Sequence, residues 1–117
     1  MIKLKRIYEN PNKDDGFRIL VDRLWPRGIS RQQSKIDLWL KDIAPSDSLI
    51  KWFRHKPERW QQFKIKYKNE LKSKQDLVTK IKELEKNYKT ITFLFSAKDV
   101  AHNNAVVLKE FVEKNSS

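Results

Sequence analysis

Apolar positions change period several times along the chain, and each change marks a predicted element. "IKLKRIY" (2–8) alternates, with Ile2, Leu4 and Ile7 expected inward, and predicts a strand. The polar cluster "ENPNKDDG" then turns the chain into "FRILVD" (17–22), a mostly apolar run that predicts a buried strand. After Pro26 and Gly28, Ser30 and Gln33 have capping-box spacing, predicting a short helix near 31–35. "DLWLKDI" (37–43) alternates imperfectly through Leu38, Leu40 and Ile43 and is read as a third strand. Ser46 can cap a helix whose apolar face is Leu49, Trp52 and Phe53.

The middle of the chain takes up the helical period. Trp60, Phe63, Tyr67 and Leu71 fall on one stripe after Pro57, and Leu77, Ile81, Leu84 and Tyr88 fall on a second. "KSKQ" joins them, so residues 58–88 are expected to form a helical hairpin with both stripes buried. "TITFLFSA" (90–97) is β-branched, aromatic and uncharged, the strongest strand signal in the chain. "NNAVVLKEFVEK" (103–114) predicts a final helix capped by Asn103 or Asn104, and "NSS" a frayed end. Strands interleaved with helices predict an α/β fold, a small sandwich on a mostly parallel or mixed four-stranded sheet.

The length of 117 residues bounds this to a single domain, 1–117. Charged residues are 35% and hydrophobic residues 38%, and the Trp, Phe and Tyr supply core material that disordered chains lack. No apolar run approaches the roughly 18–20 residues that span a bilayer, so no membrane partner is expected. The N-terminus reads as a strand rather than a signal peptide, and there is no Cys; a cytoplasmic location is the expectation. Without Cys, and with only His55 and His102 for imidazole ligands, neither a thiolate nucleophile nor a metal site is expected. No cofactor is indicated.

In parallel sheets ligands bind beyond the carboxyl ends of the strands, where strand order reverses. "DRLWPRG" follows the second strand and "SAKDVAHNN" the last. If those strands are neighbours, Asp22, Arg23 and Arg27 face Ser96, Lys98, Asp99, His102, Asn103 and Asn104. Guanidinium forks and unpaired amides at a helix start both suit phosphate or carboxylate. The plainer alternative is an internal Asp22–Arg ion pair with Trp25 capping the core, and a helix capped by Asp99 or Asn103. His55 is read as a helix-end residue, with a place at the crevice edge as the alternative. Trp39, Trp52 and Trp60 are read as core.

Net charge is +11, and residues 51–89 carry an excess of 8 of it. Lys66, Lys68, Lys82 and Lys86, off the apolar stripes, are therefore a candidate nucleic-acid face, although a solvated surface explains them as well. Ser96, Asp99 and His102 contain the letters of a hydrolase triad, but Ser96 lacks the flanking glycines of a nucleophile elbow.

"LVDRLWPRGISR", "WLKDIAPS", "LIKWFRH", "RWQQFKIKYKNEL" and "TFLFSAKDVAHNNAVVL" together resemble the YeaO-like branch of the bacterial domain-of-unknown-function family 488. The resemblance runs over nearly the whole chain and implies a small α/β domain. Broader members carry a Cys at the end of the final strand and a Cys-His-Arg near the following helix. Here Ser96 stands at the first place and His102-Asn103-Asn104 around the second, so the resemblance implies no nucleophilic Cys chemistry. The expected function is binding of a phosphate-bearing ligand, a nucleotide or nucleic acid, between the 22–28 and 96–104 loops. Acid/base chemistry on a nucleotide-like substrate is the alternative, as is a protein-interaction module built on the helical hairpin.

Overall fold

The computed structural model describes residues 1–114, so the "NSS" expected to fray lies outside the described residues. Strands β1 (Ile2–Arg6), β2 (Phe17–Leu20), β3 (Leu38–Trp39) and β4 (Ile91–Phe95) form one sheet in the order β1-β4-β2-β3. Every pairing is parallel. Ile91 aligns with both Ile2 and Phe17, placing β4 between its neighbours. All of β4 is buried, as an uncharged strand in the middle of a covered parallel sheet should be.

Alternation divides the strand residues between two faces. Ile2, Leu4, Ile19, Val21, Ile91, Phe93 and Phe95 meet the main core. Helices α2 (Asp47–Phe53), α3 (Trp60–Lys72), α4 (Gln75–Tyr88) and α5 (Asn104–Lys114) supply its other side. Ser46 caps α2, its Oγ accepting from the Leu49 N–H at 3.2 Å. A 3-10 turn at Pro57–Arg59 leads into α3, and Ser73 and Lys74 alone separate α3 from α4. Trp60, Phe63, Tyr67 and Leu71 are buried as one stripe. The second stripe is shallower than expected: Ile81 is buried, with Val78 beside it, but Leu77 and Leu84 are half-buried, and Tyr88 is 54% exposed and stacks on Phe17 at 4.5 Å. The last turn of α4 has reached the border of the core.

The opposite face is covered by connections, including the short helix α1 (Arg31–Ser34), whose cap Ser30 accepts from the Gln33 N–H. Ile7, Leu20 and Leu94 form a small second cluster beneath Trp25, Ile29, Ile36 and Trp39. Ile7 is thus buried on the face opposite Ile2 and Leu4. The strand expected over 37–43 is confined to Leu38–Trp39, and a 3-10 turn, Lys41–Ile43, takes the remainder. Leu40 and Ile43 are both buried three positions apart, which fits the 3-10 period; in a strand they would point to opposite faces.

Next to the small cluster lies a buried polar network. The Asp15 carboxylate accepts from Arg18 at 2.5 Å, Lys5 at 3.2 Å and the Asn12 N–H at 3.0 Å. Thr92 Oγ1 donates to the Asp15 carbonyl at 2.6 Å. Burial alone would raise the Asp15 carboxyl, but the Asn12 amide, Lys5 and Arg18 hold it below its ordinary value of 3.8. A carboxyl lowered by folding leaves the unfolded chain binding more protons, so stability rises with pH across that interval. Its contribution is full above the ordinary value and is lost as pH falls through the lower folded one. Denaturant titrations from roughly pH 2 to 7 should therefore show an acid loss that is smaller in Asp15→Asn, already weaker at neutral pH. Parallel acid slopes for the two proteins would remove Asp15 as the cause.

Candidate functional site

The chain leaves β2 toward β3 but leaves β4 for α5, which packs over β4 and β1. Adjacent strands with diverging exits open a crevice at their carboxyl ends. Asp22 forms its floor. Its Oδ2 accepts from the Ser96 N–H at 2.9 Å and the Ser96 hydroxyl at 2.7 Å. Asn104 Nδ2 donates to the Val21 carbonyl at 3.0 Å and to Asp22 Oδ1 at 3.2 Å. The two loops are therefore in direct hydrogen-bond contact through Asp22.

Arg23 does not pair with Asp22. Its Nε donates to the Pro45 carbonyl at 3.0 Å and its Nη2 to the Ala44 carbonyl at 3.3 Å, tying down the chain before α2. The internal Asp22–Arg ion pair is absent among the described residues, and Trp25 packs on the smaller cluster, edge-on to Trp39. Arg27 is exposed; its carbonyl accepts from the Tyr8 hydroxyl at 3.2 Å. Among the described residues its guanidinium makes no hydrogen bond or ion pair.

The crevice encloses about 440 Å³, lined by Asp22, Arg23, Arg27, Ser96, Asn103 and Asn104 together with His55 and Tyr8. Leu24, Pro26, Ile50, Phe53 and Phe63 make much of its wall apolar. Leu24 is 78% exposed at the mouth. Ligand pockets commonly measure roughly 300–1,000 Å³ and combine apolar walls with few polar groups.

Lys98 and Asp99 lie outside this space, bordering a shallow depression shared with His55, Ser96 and Ala97. Asp99 Oδ1 accepts from the Ala101 and His102 N–H groups, and its Oδ2 lies 3.0 Å from His102 Nδ1. The Ala101 amide and the His102 side chain lead in holding the Asp99 carboxyl below its ordinary range. Asn103 Oδ1 caps α5 by accepting from the Val106 N–H at 3.2 Å. The amides of Ala101, His102 and Val106 are thus engaged by the protein's own side chains. His102 also stands edge-on to Trp60 at 5.0 Å.

The lysines of the helical hairpin are less uniform than their spacing suggests. Lys68 pairs with Glu110 at 3.2 Å, and Lys66 Nζ sits 5.1 Å from the Trp52 ring centre. Lys82 is half-buried and Lys86 exposed. Trp60 is core, as expected, whereas Trp39 and Trp52 are half-buried at its margin.

Comparison with known proteins gives the family. Residues 1–117 match the family described as "Inactive DUF488-N3 subclade". The chain belongs to that subclade. It is 37% identical over 111 residues to the uncharacterized protein YeaO of Escherichia coli K12, covering 95% of this chain and 96% of that one. It is 36% identical over 113 residues to the uncharacterized protein Rv3073c of Mycobacterium tuberculosis H37Rv, covering 95% and 92%. No solved structure matches the chain.

In this DUF488-N3 chain the position after β4 is filled by Ser96, whose hydroxyl donates to Asp22 while His102 turns to Asp99. A nucleophile needs a base within hydrogen-bond reach, and no such bond joins Ser96 to His102 among the described residues. Among those residues no three His, Cys, Asp or Glu side chains gather as a metal site. No helix among them is long and apolar enough to cross a membrane.

Two residues at the site carry no motif. Arg6 ends β1 and donates to the Ser96 carbonyl at 3.1 Å and the Ala97 carbonyl at 2.9 Å, its guanidinium 5.0 Å from the Tyr8 ring centre. Its position at a strand's carboxyl end is the signal that could have found it. His55 takes a left-handed backbone, φ 55°, and turns to the crevice beside Phe53. In the sequence its only signal is its place between a helix end and Pro57.

Proposed function

We propose that this protein binds a nucleotide-like ligand, an apolar or aromatic body bearing phosphate, in the crevice beyond β2 and β4. The observation that carries the reading is the Arg27 guanidinium, unengaged among the described residues, at the rim of a largely apolar cavity of ligand size. Arg27 offers a planar fork to phosphate oxygens, and His55 stands on the same lining. Leu24, Ile50, Phe53 and Phe63 suit a flat apolar body. The net charge of +11 draws anions toward the molecule from a distance. Asp22 repels a phosphate from the floor, so the anion belongs at the rim. The family's description as inactive supports binding over turnover.

Nucleic acid along the hairpin is the weaker reading, because Glu110 beside Lys68 offsets part of that face's positive charge and Lys66 lies against Trp52. Titration calorimetry with AMP and with adenosine tests the choice. Arg27→Ala is expected to weaken AMP by roughly 10–100-fold, about 1.4–2.8 kcal/mol, the scale of a hydrogen-bonded charge pair. Adenosine should bind weakly to both proteins. Replacing Lys66, Lys68, Lys82 and Lys86 together by Ala should leave AMP affinity nearly intact. An oligonucleotide that binds with a steep salt slope, lost in the lysine variant and kept in Arg27→Ala, would reverse the assignment.

A further inference from the structure

We infer that Asp22 selects, within that nucleotide-like class, ligands that present a neutral N–H or O–H donor to its Oδ1 atom. This rests on the binding proposed above and adds an orientation: donor end on the floor, phosphate at Arg27. A carboxylate oxygen has two lone-pair directions, about four for the whole group. Oδ2 has both engaged, by the Ser96 amide at 2.9 Å and the Ser96 hydroxyl at 2.7 Å. Among the described residues Oδ1 receives only Asn104 Nδ2, at 3.2 Å, so one acceptor direction on it is open. Asp22 lines the cavity, and among the described residues no Lys, Arg or His forms an ion pair with it.

A carboxylate without a cationic partner, in a chain of net charge +11, is an unusual use of an acid. Its holders come from the ends of adjacent elements. Val21 N–H donates to the Leu94 carbonyl at 3.1 Å just before it, and Ser96 follows β4 directly. Asn104 opens α5 and binds both Val21 and Asp22. The open direction is therefore fixed in space before any ligand arrives, which lowers the ordering cost of binding. For a cationic group the close attraction of Asp22 and the long-range repulsion of a chain of net charge +11 oppose one another, whereas a neutral donor meets the carboxylate without that opposition. The same chemistry comes from an exocyclic amine on a base or from a sugar hydroxyl.

Calorimetry on the intact protein separates these sources without any substitution. The probes are AMP, purine riboside 5′-monophosphate, which lacks the exocyclic amine, and the 2′-deoxy and 3′-deoxy forms of AMP. Loss of the donor that meets Asp22 is expected to weaken binding by roughly tenfold or more, because the carboxylate is left short of a partner. Weakening by the purine riboside names the base amine; weakening by one deoxy form names that hydroxyl. Asp22→Asn, which can turn an N–H group toward the open direction, should erase the difference between AMP and the discriminated analogue. Four equal affinities that still depend on Arg27 would overturn the role of Asp22 and leave the nucleotide reading standing. Absence of binding by every probe would overturn both.

Discussion

Phe63→Ala is expected to cost about 3–5 kcal/mol of stability, the range for truncating a buried Phe. Phe63 is only 2% exposed and holds the middle of an aromatic stack. Its ring lies 4.3 Å from Phe53, 5.8 Å from Trp60 and 5.9 Å from Tyr67, centre to centre. Removing it takes away transfer energy, those ring contacts and the support of α3 on α2. Tyr88→Ala supplies the contrast: Tyr88 stacks on one ring and is half in water, so about 1 kcal/mol is expected. Urea denaturation of both variants checks the difference. A loss below about 1 kcal/mol for Phe63→Ala would mean the stripe is not core and is open to a partner. Phe63 also lines the crevice, so AMP binding should fall with it, in contrast to Arg27→Ala, which is expected to leave the fold intact.

The elements readable from the sequence are those whose burial follows one period for several turns or rungs. β4 has no polar position but Thr92, and α3 presents Trp60, Phe63, Tyr67 and Leu71 at steps of three and four. The caps were equally local: Ser30, Ser46 and Asn103 each use their own side chain. Over 37–43 the strand period holds only from Leu38 to Leu40; Ile43, three places on, already follows the 3-10 period, and two periods over so few residues are easily read as one imperfect strand. Tyr88 continues the arithmetic of its stripe, but how far the core extends beneath α4 is set by Phe17 and the sheet. That is a tertiary quantity.

The site divides along the same line. Placing "DRLWPRG" and "SAKDVAHNN" opposite one another needs only parallel strands and the adjacency of β2 and β4. Which groups enter the crevice is settled by competition for partners, and residue types do not report that. Arg23 and Arg27 are the same residue type, and only the neighbouring Gly28 hints that Arg27 is the freer; in the structure the Ala44 and Pro45 carbonyls engage Arg23 while Arg27 stays in solvent. Lys98, Asp99 and His102 share a loop with Ser96, but Asp99 folds that loop back on its own amides. Arg6 reaches the site from β1, distant in sequence, through backbone carbonyls that leave no trace in residue identity.

Gly16→Ala should cost roughly 3 kcal/mol or more, combining backbone strain with a close contact. Gly16 has φ 65° and ψ −138°, a conformation open mainly to glycine. A Cβ there would stand 2.0 Å from the Thr90 carbonyl oxygen. That oxygen accepts the Phe17 N–H at 3.0 Å at the start of the β2–β4 ladder, so it cannot retreat without losing that bond. Gly28 is the matched control, since its φ is also positive, 73°, but an added Cβ meets nothing within 4 Å. Gly28→Ala should therefore carry only the left-handed penalty of about 1–2 kcal/mol. Urea midpoints of the two variants measure the gap, and equal losses would show that strain alone governs both positions. A larger loss at Gly16 locates the requirement in the close approach of the turn to Thr90. The same contact sets the register of β2 against β4, and so carries Asp22 to Ser96 at the other end of the strands.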